Sequence, residues 1–499
     1  MSSTMQAQGN QGAEAPRAPM RAGALIAVLL AGAFVMILNE TVMGVALPAV
    51  MREFEITAAA GQWLTTAYML VMAVLIPMTG FLLQRFSPRA IFVAALLLFS
   101  VGTAAAAIAP WFSVLVVARI AQAAGTAIIM PLLTTTILTH VPAARRGRTM
   151  GLIAIVMSVA PALGPSFSGL MITAFGWRSV FLVVLPIAVA VLIAGSVLIR
   201  SGGAGSAVRF DLGSAALSVL AFGGIVFGLG SIGEAVGGHA ILPPAVPIVV
   251  GLLALAAFVW RQLALQRRDA AFLDLRPFRS RPFWVGVVLL AVAMCSMFGA
   301  LILLPLYMQN VLGLSALATG LVVLPGGLLM GLAAPVVGAI FDRVGARPLV
   351  IPGVLVVSAS LAMLAFLGDD SPVWYLVVAT LVLDLGLAML MTPLMTSALG
   401  SLAPELYSHG SAIVSTMQQL AGAAGSAVFV TVMSLGAASA AAEGGSATAA
   451  AASGIHLAFV GAALASLVAV ALAFLVPRRP SIEPAGGGER GESGESTSR

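Results

Sequence analysis

Apolar residues run along this chain in blocks of about twenty, the length an α-helix needs to cross a hydrocarbon core of about 30 Å. Short polar or basic segments separate the blocks, which lie near residues 22–46, 60–80, 90–109, 112–135, 149–171, 179–199, 212–232, 243–262, 283–305, 315–340, 349–367, 373–398, 410–434 and 455–476. Each is read as a transmembrane helix, because a helix satisfies every backbone N–H and C=O within one segment inside lipid. Glycine and proline recur within them, as membrane helices allow where they approach closely or bend. The run after Arg21 is too long for a signal-peptide core and is expected to remain as the first span. Segments 1–20 and 479–499, polar and the second rich in Gly, Glu and Ser, are expected to be disordered tails.

The basic residues set the expected orientation. All 24 are arginine; Arg119 lies within a span, and only Arg52 and Arg178 fall on the face opposite the N-terminus. The rest share the N-terminal face, which the positive-inside rule makes cytoplasmic, so both ends are expected inside. An error of one span would scramble this alternation. The same bias explains the formal charge of +6 without a nucleic-acid partner. With 60% hydrophobic and 8% charged residues, the chain is read as a polytopic membrane protein. Cys295 is the one cysteine, and His140, His239, His409 and His456 are far apart, so neither a disulfide framework nor a metal site is expected. The absence of lysine removes a P-loop lysine and Schiff-base chemistry.

Two acids fall well inside spans. Glu40, between Asn39 and Thr41, lies about 28 Å along a helix from Arg21, in the outer half of the bilayer. A carboxylate there costs about 2.5–3.5 kcal/mol, which makes it a candidate functional site; the plainer alternative is a side chain that snorkels to the headgroups. Asp384 lies about 18 Å from Pro372, near the midplane. It is a second candidate for proton or cation coupling, with a local hydrogen bond as the alternative. Glu53, Glu55, Glu234, Asp369, Asp370 and Glu443 are read as solvated loop positions. Arg119 falls at a depth similar to Glu40, and the two are expected to pair across spans one and four, unless Arg119 only satisfies helix carbonyls. Gln122, one turn on, shares its face and is placed to hold it. Protonation of Glu40, or a cationic substrate, would weaken the pair.

An internal repeat follows the second and tenth spans. Gly338-Ala-Ile-Phe-Asp342-Arg343-Val-Gly345-Ala-Arg347 has a degraded copy in Gly80-Phe-Leu-Leu-Gln84-Arg85-Phe-Ser87-Pro-Arg89. Recurrence at matching topological places is what two parallel halves of a transporter would show. Spans one to six, residues 21–200, then pair with nine to fourteen, residues 271–478, leaving an inserted helix pair in 201–270.

Further motifs are Leu38-Asn39-Glu40-Thr41-Val-Met-Gly44-Val-Ala-Leu-Pro48, Arg119-x-x-Gln122-x-x-Gly125, Ala160-Pro161-Ala-Leu-Gly164-Pro165-Ser-Phe-Ser-Gly169 and Pro305-Leu-Tyr307-Met-Gln309-x-x-Leu-Gly313. On these motifs and the repeat, the chain resembles the major facilitator superfamily over nearly all of its length outside the tails. The closer likeness is to the fourteen-span branch of drug:proton antiporters that includes lincomycin-resistance-type exporters. It departs at Gln84, where the superfamily usually has aspartate, at Ser87, where glycine is usual, and at Gly44, where many relatives have asparagine.

The resemblance implies an all-α membrane protein of the major facilitator fold, two six-helix halves plus two inserted helices, in the bacterial plasma membrane. It implies export of lipophilic or cationic drugs by alternating access, driven by proton entry, with no cofactor beyond the proton gradient and no enzymatic activity. The expected partners are the small-molecule substrate, protons and the lipid bilayer, with the protein a monomer. Pro161, Gly164, Pro165 and Gly169 would form the antiporter motif that limits leakage, the Gly164-Pro165 step breaking helix regularity and allowing close approach. Gly80, Arg85, Arg89, Gly338, Asp342, Arg343, Gly345 and Arg347 would hold the inward side closed. A substrate cavity would draw on Asn39, Thr41, Trp63, Tyr68, Gln122, Met297 and Phe298, although lipid-facing or packing roles suit Trp63, Tyr68, Met297 and Phe298 better. Two other readings stay open: export of an endogenous metabolite or lipid, and, remotely, an intramembrane hydrolase with Ser166 as nucleophile, for which no histidine has partner spacing.

Overall fold

The computed structural model describes residues 22–56, 58–199, 211–236, 242–268, 271–368, 371–444 and 446–477, so the tails expected to be disordered lie outside the described residues. Among the described residues, fourteen helices are long and apolar enough to cross a membrane. They are α1 Ala22–Phe54, α2 Ala58–Arg85, α3 Pro88–Ala107, α4 Phe112–His140, α5 Arg146–Phe175 and α6 Arg178–Leu198. Next come α7, which runs Leu212–Ser218, a π turn at Val219–Gly223 and Gly224–Val236, then α8 Ala245–Gln266 and α9 Arg281–Asn310. The remaining helices are α10 Ala316–Val344, α11 Arg347–Ala365, α12 Val373–Gly400, α13 Tyr407–Ala442 and α14 Ala447–Ala473.

Local chemistry starts several of these helices. Ser87, Ser315 and Ser446 accept the backbone N–H of Ala90, Ala318 and Ala449, satisfying donors that the first turn leaves free. Several helices outrun their apolar blocks, α1 reaching Phe54 and α13 Ala442, because helical hydrogen bonds need no lipid to persist. One expectation is corrected: α5 runs unbroken from Arg146 to Phe175, straight through the Gly164-Pro165 step. In membrane helices, neighbouring helices and side-chain hydroxyls satisfy the groups a proline frees.

The packing repeats itself. In the first six helices α1 packs on α4, α5 and α6, α2 on α4, and α3 on α4 and α6; in the last six α9 packs on α12, α13 and α14, α10 on α12, and α11 on α12 and α14. The halves meet chiefly through two crossed contacts, α5 on α10 and α2 on α13, with α5 also touching α12 and α4 touching α13. The inserted α7 and α8 pack on each other, and α7 lies against α2 and α13. Gly224, Gly228 and Gly251 let the inserted helices touch through backbone; a Cβ on Gly251 would lie 2.7 Å from the Ile225 nitrogen. In lipid, such close packing supplies the attraction between helices that the hydrophobic effect cannot. Asp211 caps α7 and accepts two bonds from the Arg261 guanidinium of α8, both 2.8 Å, which hold its carboxyl well below the usual carboxylate range.

The Arg-rich ends of the helices, with the loops after α2 and α10, form one end of the molecule, the basic end. At the opposite end Glu53 is not a plain solvated acid as expected. Its carboxylate accepts bonds from the Trp177 Nε1, at 2.6 Å, and from Arg178, whose other nitrogen donates to the Ala109 carbonyl at 2.8 Å. This ties α1 to the α3–α4 and α5–α6 turns. Burial pushes the Glu53 carboxyl up, but the bonds from Arg178 and Trp177 outweigh it and hold it low. The stabilisation is complete above the ordinary value of 4.5 and is lost as pH falls through the lower folded value. Glu53→Gln is expected to flatten the acid limb of the melting-temperature profile below about pH 4.5, by about 1 kcal/mol or less because the pair is partly exposed. An acid limb that the variant leaves unchanged would assign it to other carboxyls.

Candidate functional site

Four helices of the first half bring one polar cluster together. Arg119 of α4 is buried and its guanidinium lies over the Tyr68 ring of α2, 4.1 Å from the centroid. The three-residue spacing on α4 sets Gln122 beside it, and Arg119 Nη1 donates to Gln122 Oε1 at 3.0 Å and to the Asn39 carbonyl of α1 at 3.5 Å. Gln122 Nε2 donates to Thr103 Oγ1 of α3 at 3.0 Å, and the Tyr68 hydroxyl donates to Thr126 Oγ1 at 2.8 Å. Gly102 and Gly125 allow this: a Cβ on Gly102 would lie 2.7 Å from the Ala118 carbonyl and one on Gly125 would overlap that of Ala95, so α3 and α4 meet backbone to backbone.

Glu40 sits half-buried beside this cluster, but no ion pair joins it to Arg119 among the described residues. The expected direct pair is replaced by attraction at longer range; the guanidinium lies over Tyr68, and its Nη1 is directed to Gln122 and the Asn39 carbonyl. Glu40 itself has no hydrogen bond among the described residues. The Asn39 amide and Arg119 Nε are buried without a partner in the structure. An amide so placed normally holds ordered water or ligand.

Thr41, next in line, donates to the Leu38 carbonyl at 2.9 Å and lies against Gly164 of α5, where a Cβ would overlap its Oγ1. Gly164 is thus the point at which α1 and α5 close on each other. Gly169 has nothing within 4 Å of a Cβ position, Pro161 is half-buried, and the side chains of Pro165 and Ser166, with the surroundings of Gly44, lie outside the described residues. Trp63 stacks on Phe227 of the inserted α7, centroids 6.2 Å apart, so it joins the inserted pair to α2. Phe298 of α9 covers Gly422 of α13, and Met297 is half-buried beside it. Asp384 of α12 lies in the other half, against Gly326 of α10, where a Cβ would overlap its Oδ2. The next residue, Gly327, faces α5, where a Cβ on it would lie 3.1 Å from that of Ala162. No bond links Asp384 to Glu40 among the described residues.

At the basic end the repeated loops do different work. Asp342 reaches across to the first turn of α5 and accepts the N–H groups of Gly147, at 2.8 Å, and Arg148, at 3.0 Å. A carboxylate on free helix-start donors is favoured by both hydrogen bonding and the helix dipole. Gly338 lets the backbones meet, since a Cβ there would overlap the Gly147 carbonyl. Gly345 has φ +83, a conformation that favours glycine, and closes α10 through its N–H to the Phe341 carbonyl. In the first copy Ser87 has extended backbone instead and caps α3, so no left-handed residue is needed. Gly80 lies against His409 and Ala412, Arg85 lies over the Phe81 and Phe86 rings, and Arg89 is exposed. Arg343 and Arg347 form no ion pair among the described residues.

Sequence reasoning missed Arg146 and Tyr407. Arg146 Nη2 and Nε donate to the Leu138 and Val141 carbonyls at the end of α4, at 2.7 and 3.1 Å, and Nη1 donates to the Tyr407 hydroxyl of α13 at 3.2 Å. Its place in a run of arginines resembled simple anchoring, and only the fold shows which partner it meets.

Residues 29–426 match the family model described as Major Facilitator Superfamily. The chain belongs to the major facilitator superfamily. Within that superfamily it is 40% identical over 467 residues, 93% of this chain and 97% of the relative, to the uncharacterized MFS-type transporter YcnB of Bacillus subtilis. It is 38% identical over 412 residues, 83% of this chain and 86% of the relative, to the lincomycin resistance protein LmrB of Listeria monocytogenes. The crystal structure of the human organic anion transporter MFSD10 matches with a TM-score of 0.63 over 91% of this chain and 99% of that one; at 14% identity it speaks to fold alone. The major facilitator fold and its fourteen apolar helices make this a multi-pass membrane protein.

Proposed function

We propose that the chain exports lipophilic or cationic small molecules in exchange for protons, the two halves alternating access to a site between them. The observation that carries this is Glu40: a membrane-embedded acid with no hydrogen bond among the described residues, beside a buried arginine that has its own partners. Such an acid is free to take a proton or a cation, but not both, and that exclusion is the core of exchange. A ligand that changes the charge at Glu40 changes its attraction to Arg119, and so biases the balance between two packings of the halves. The proton gradient supplies the energy, and no other cofactor is invoked. The likeness to a lincomycin resistance protein supports drugs as the substrate class, and the basic end would face the cytoplasm.

Ethidium or lincomycin efflux in inverted vesicles with an imposed pH gradient tests this. Glu40→Gln is expected to lower gradient-driven efflux at least about tenfold, the loss that about 1.4 kcal/mol of coupling would give. Efflux unchanged by the variant would move coupling to Asp384. No efflux of either drug by the intact protein would favour an endogenous metabolite or lipid as substrate.

A further inference from the structure

Two of the contacts between the halves at the basic end are related by the internal repeat, yet they are built differently. On one side Gly338 meets Gly147, and Asp342 holds the start of α5 by two backbone bonds. On the other Gly80 meets His409, but the position matching Asp342 is Gln84, whose Nε2 donates to the Glu405 carbonyl just before α13 at 3.4 Å. A neutral amide donor offers the positive end of α13 none of the attraction that a carboxylate gives.

Another segment occupies that junction. Phe272, which follows the inserted pair, stacks on Phe81 of α2, centroids 5.5 Å apart and planes 15° from parallel. The Leu273 N–H donates to Gln262 Oε1 of α8 at 3.0 Å, and Gln262 Nε2 donates to Ser214 Oγ of α7 at 2.7 Å. The Asp274 N–H donates to His409 Nδ1 of α13 at 3.3 Å. The Asp274 carboxylate accepts the Arg276 N–H at 2.8 Å and its Nε at 2.6 Å, folding the chain into a tight turn. Phe272, Leu273, Asp274 and Gln262 are all buried.

We propose that Phe272–Arg276 is a clamp, carried by the inserted helix pair, that holds α2 against α13 at the basic end where α2 lacks the carboxylate of the second copy. The proposal rests on alternating access only in taking this closed end as one of two states. Three anchors on three elements, Phe81, His409 and Gln262, give the segment a fixed seat. A cavity of about 290 Å³ lined by Gln84, Asp274, Arg276, Glu405, Leu406 and His409 lies beside it. Side chains therefore have room to move when the halves part, which a segment fused into dense packing would lack.

Spin labels on cysteines at Ala90 and Val344, one from each half at the basic end, read the separation once Cys295 is replaced by serine. The parent is expected to show mainly the short distance of the closed end. Phe272→Ala is expected to raise the long-distance population about tenfold relative to the short one. Phe272→Leu, which keeps bulk but loses the stack, should fall between and serves if the alanine variant fails to fold. Asp342→Asn, acting on the separate α5 contact, should open the same end and add to the Phe272 effect. The clamp is overturned if both Phe272 variants keep the parent distribution while Asp342→Asn shifts it. These distances are read without substrate, so an absence of efflux would count against the export reading alone.

Discussion

Arg119→Ala is expected to lower gradient-driven efflux about 100-fold while leaving the protein in the membrane. The guanidinium is buried, stacked on Tyr68 and bonded to Gln122, and removing the cation leaves Glu40 without the charge that acts on it. Hydrogen bonds to a charged group are worth about 1.5–3 kcal/mol, and about 2.8 kcal/mol corresponds to 100-fold. Arg119→Lys keeps the charge but loses the planar fork, so the ring contact and the Gln122 bond cannot both persist; it should recover only part of the rate. Vesicle efflux together with monodispersity in detergent separates coupling from folding. Full efflux by a monodisperse Arg119→Ala protein would remove the cation from the mechanism.

Gly338→Val is expected to hold the basic end apart and to abolish efflux. A side chain there would overlap the Gly147 carbonyl, and backbone stands on both sides of the contact, so no flexible group can yield. The cost should exceed the about 1–3 kcal/mol of ordinary overpacking. The Ala90–Val344 label pair should then show the long distance as the main population. Gly461→Ala is the control: nothing lies within 4 Å of its Cβ position, and alanine favours the helix by about 1 kcal/mol. A Gly338→Val protein that still populates the short distance would mean that α5 and α10 can slide to a second register.

The sequence patterns reached the fold because membrane helices announce themselves by length, and arginine alternation fixes their count. They reached Asp342 as well, since a repeated loop marks its own importance. They did not reach Asp274 or His409, which lie in a connector and a helix start with no spacing to link them; their contact exists only because the inserted pair folds back between α2 and α13. Glu53 was misread for a related reason. A carboxylate in a short outer segment looks solvated until Trp177 and Arg178 arrive from another turn. Arg119 and Glu40 were legible as residues, but not their partners: the ring contact to Tyr68 and the bond to Gln122 follow from how α2 and α4 pack.

The split construction of the basic end also orders assembly in time. Gln84 and Glu405 are 321 residues apart, so at about 5–20 residues per second the glycine-bearing end of α2 leaves the ribosome about 16–64 seconds before its partner on α13. The inserted pair emerges between them and carries Phe272 and Leu273, whose partners Phe81 and Gln262 are both already made, leaving only the His409 anchor to come. A nascent chain that has reached α9 thus already holds the α2 side of the junction and covers it from misplaced neighbours, and α13 docks onto a prepared surface rather than a bare helix end.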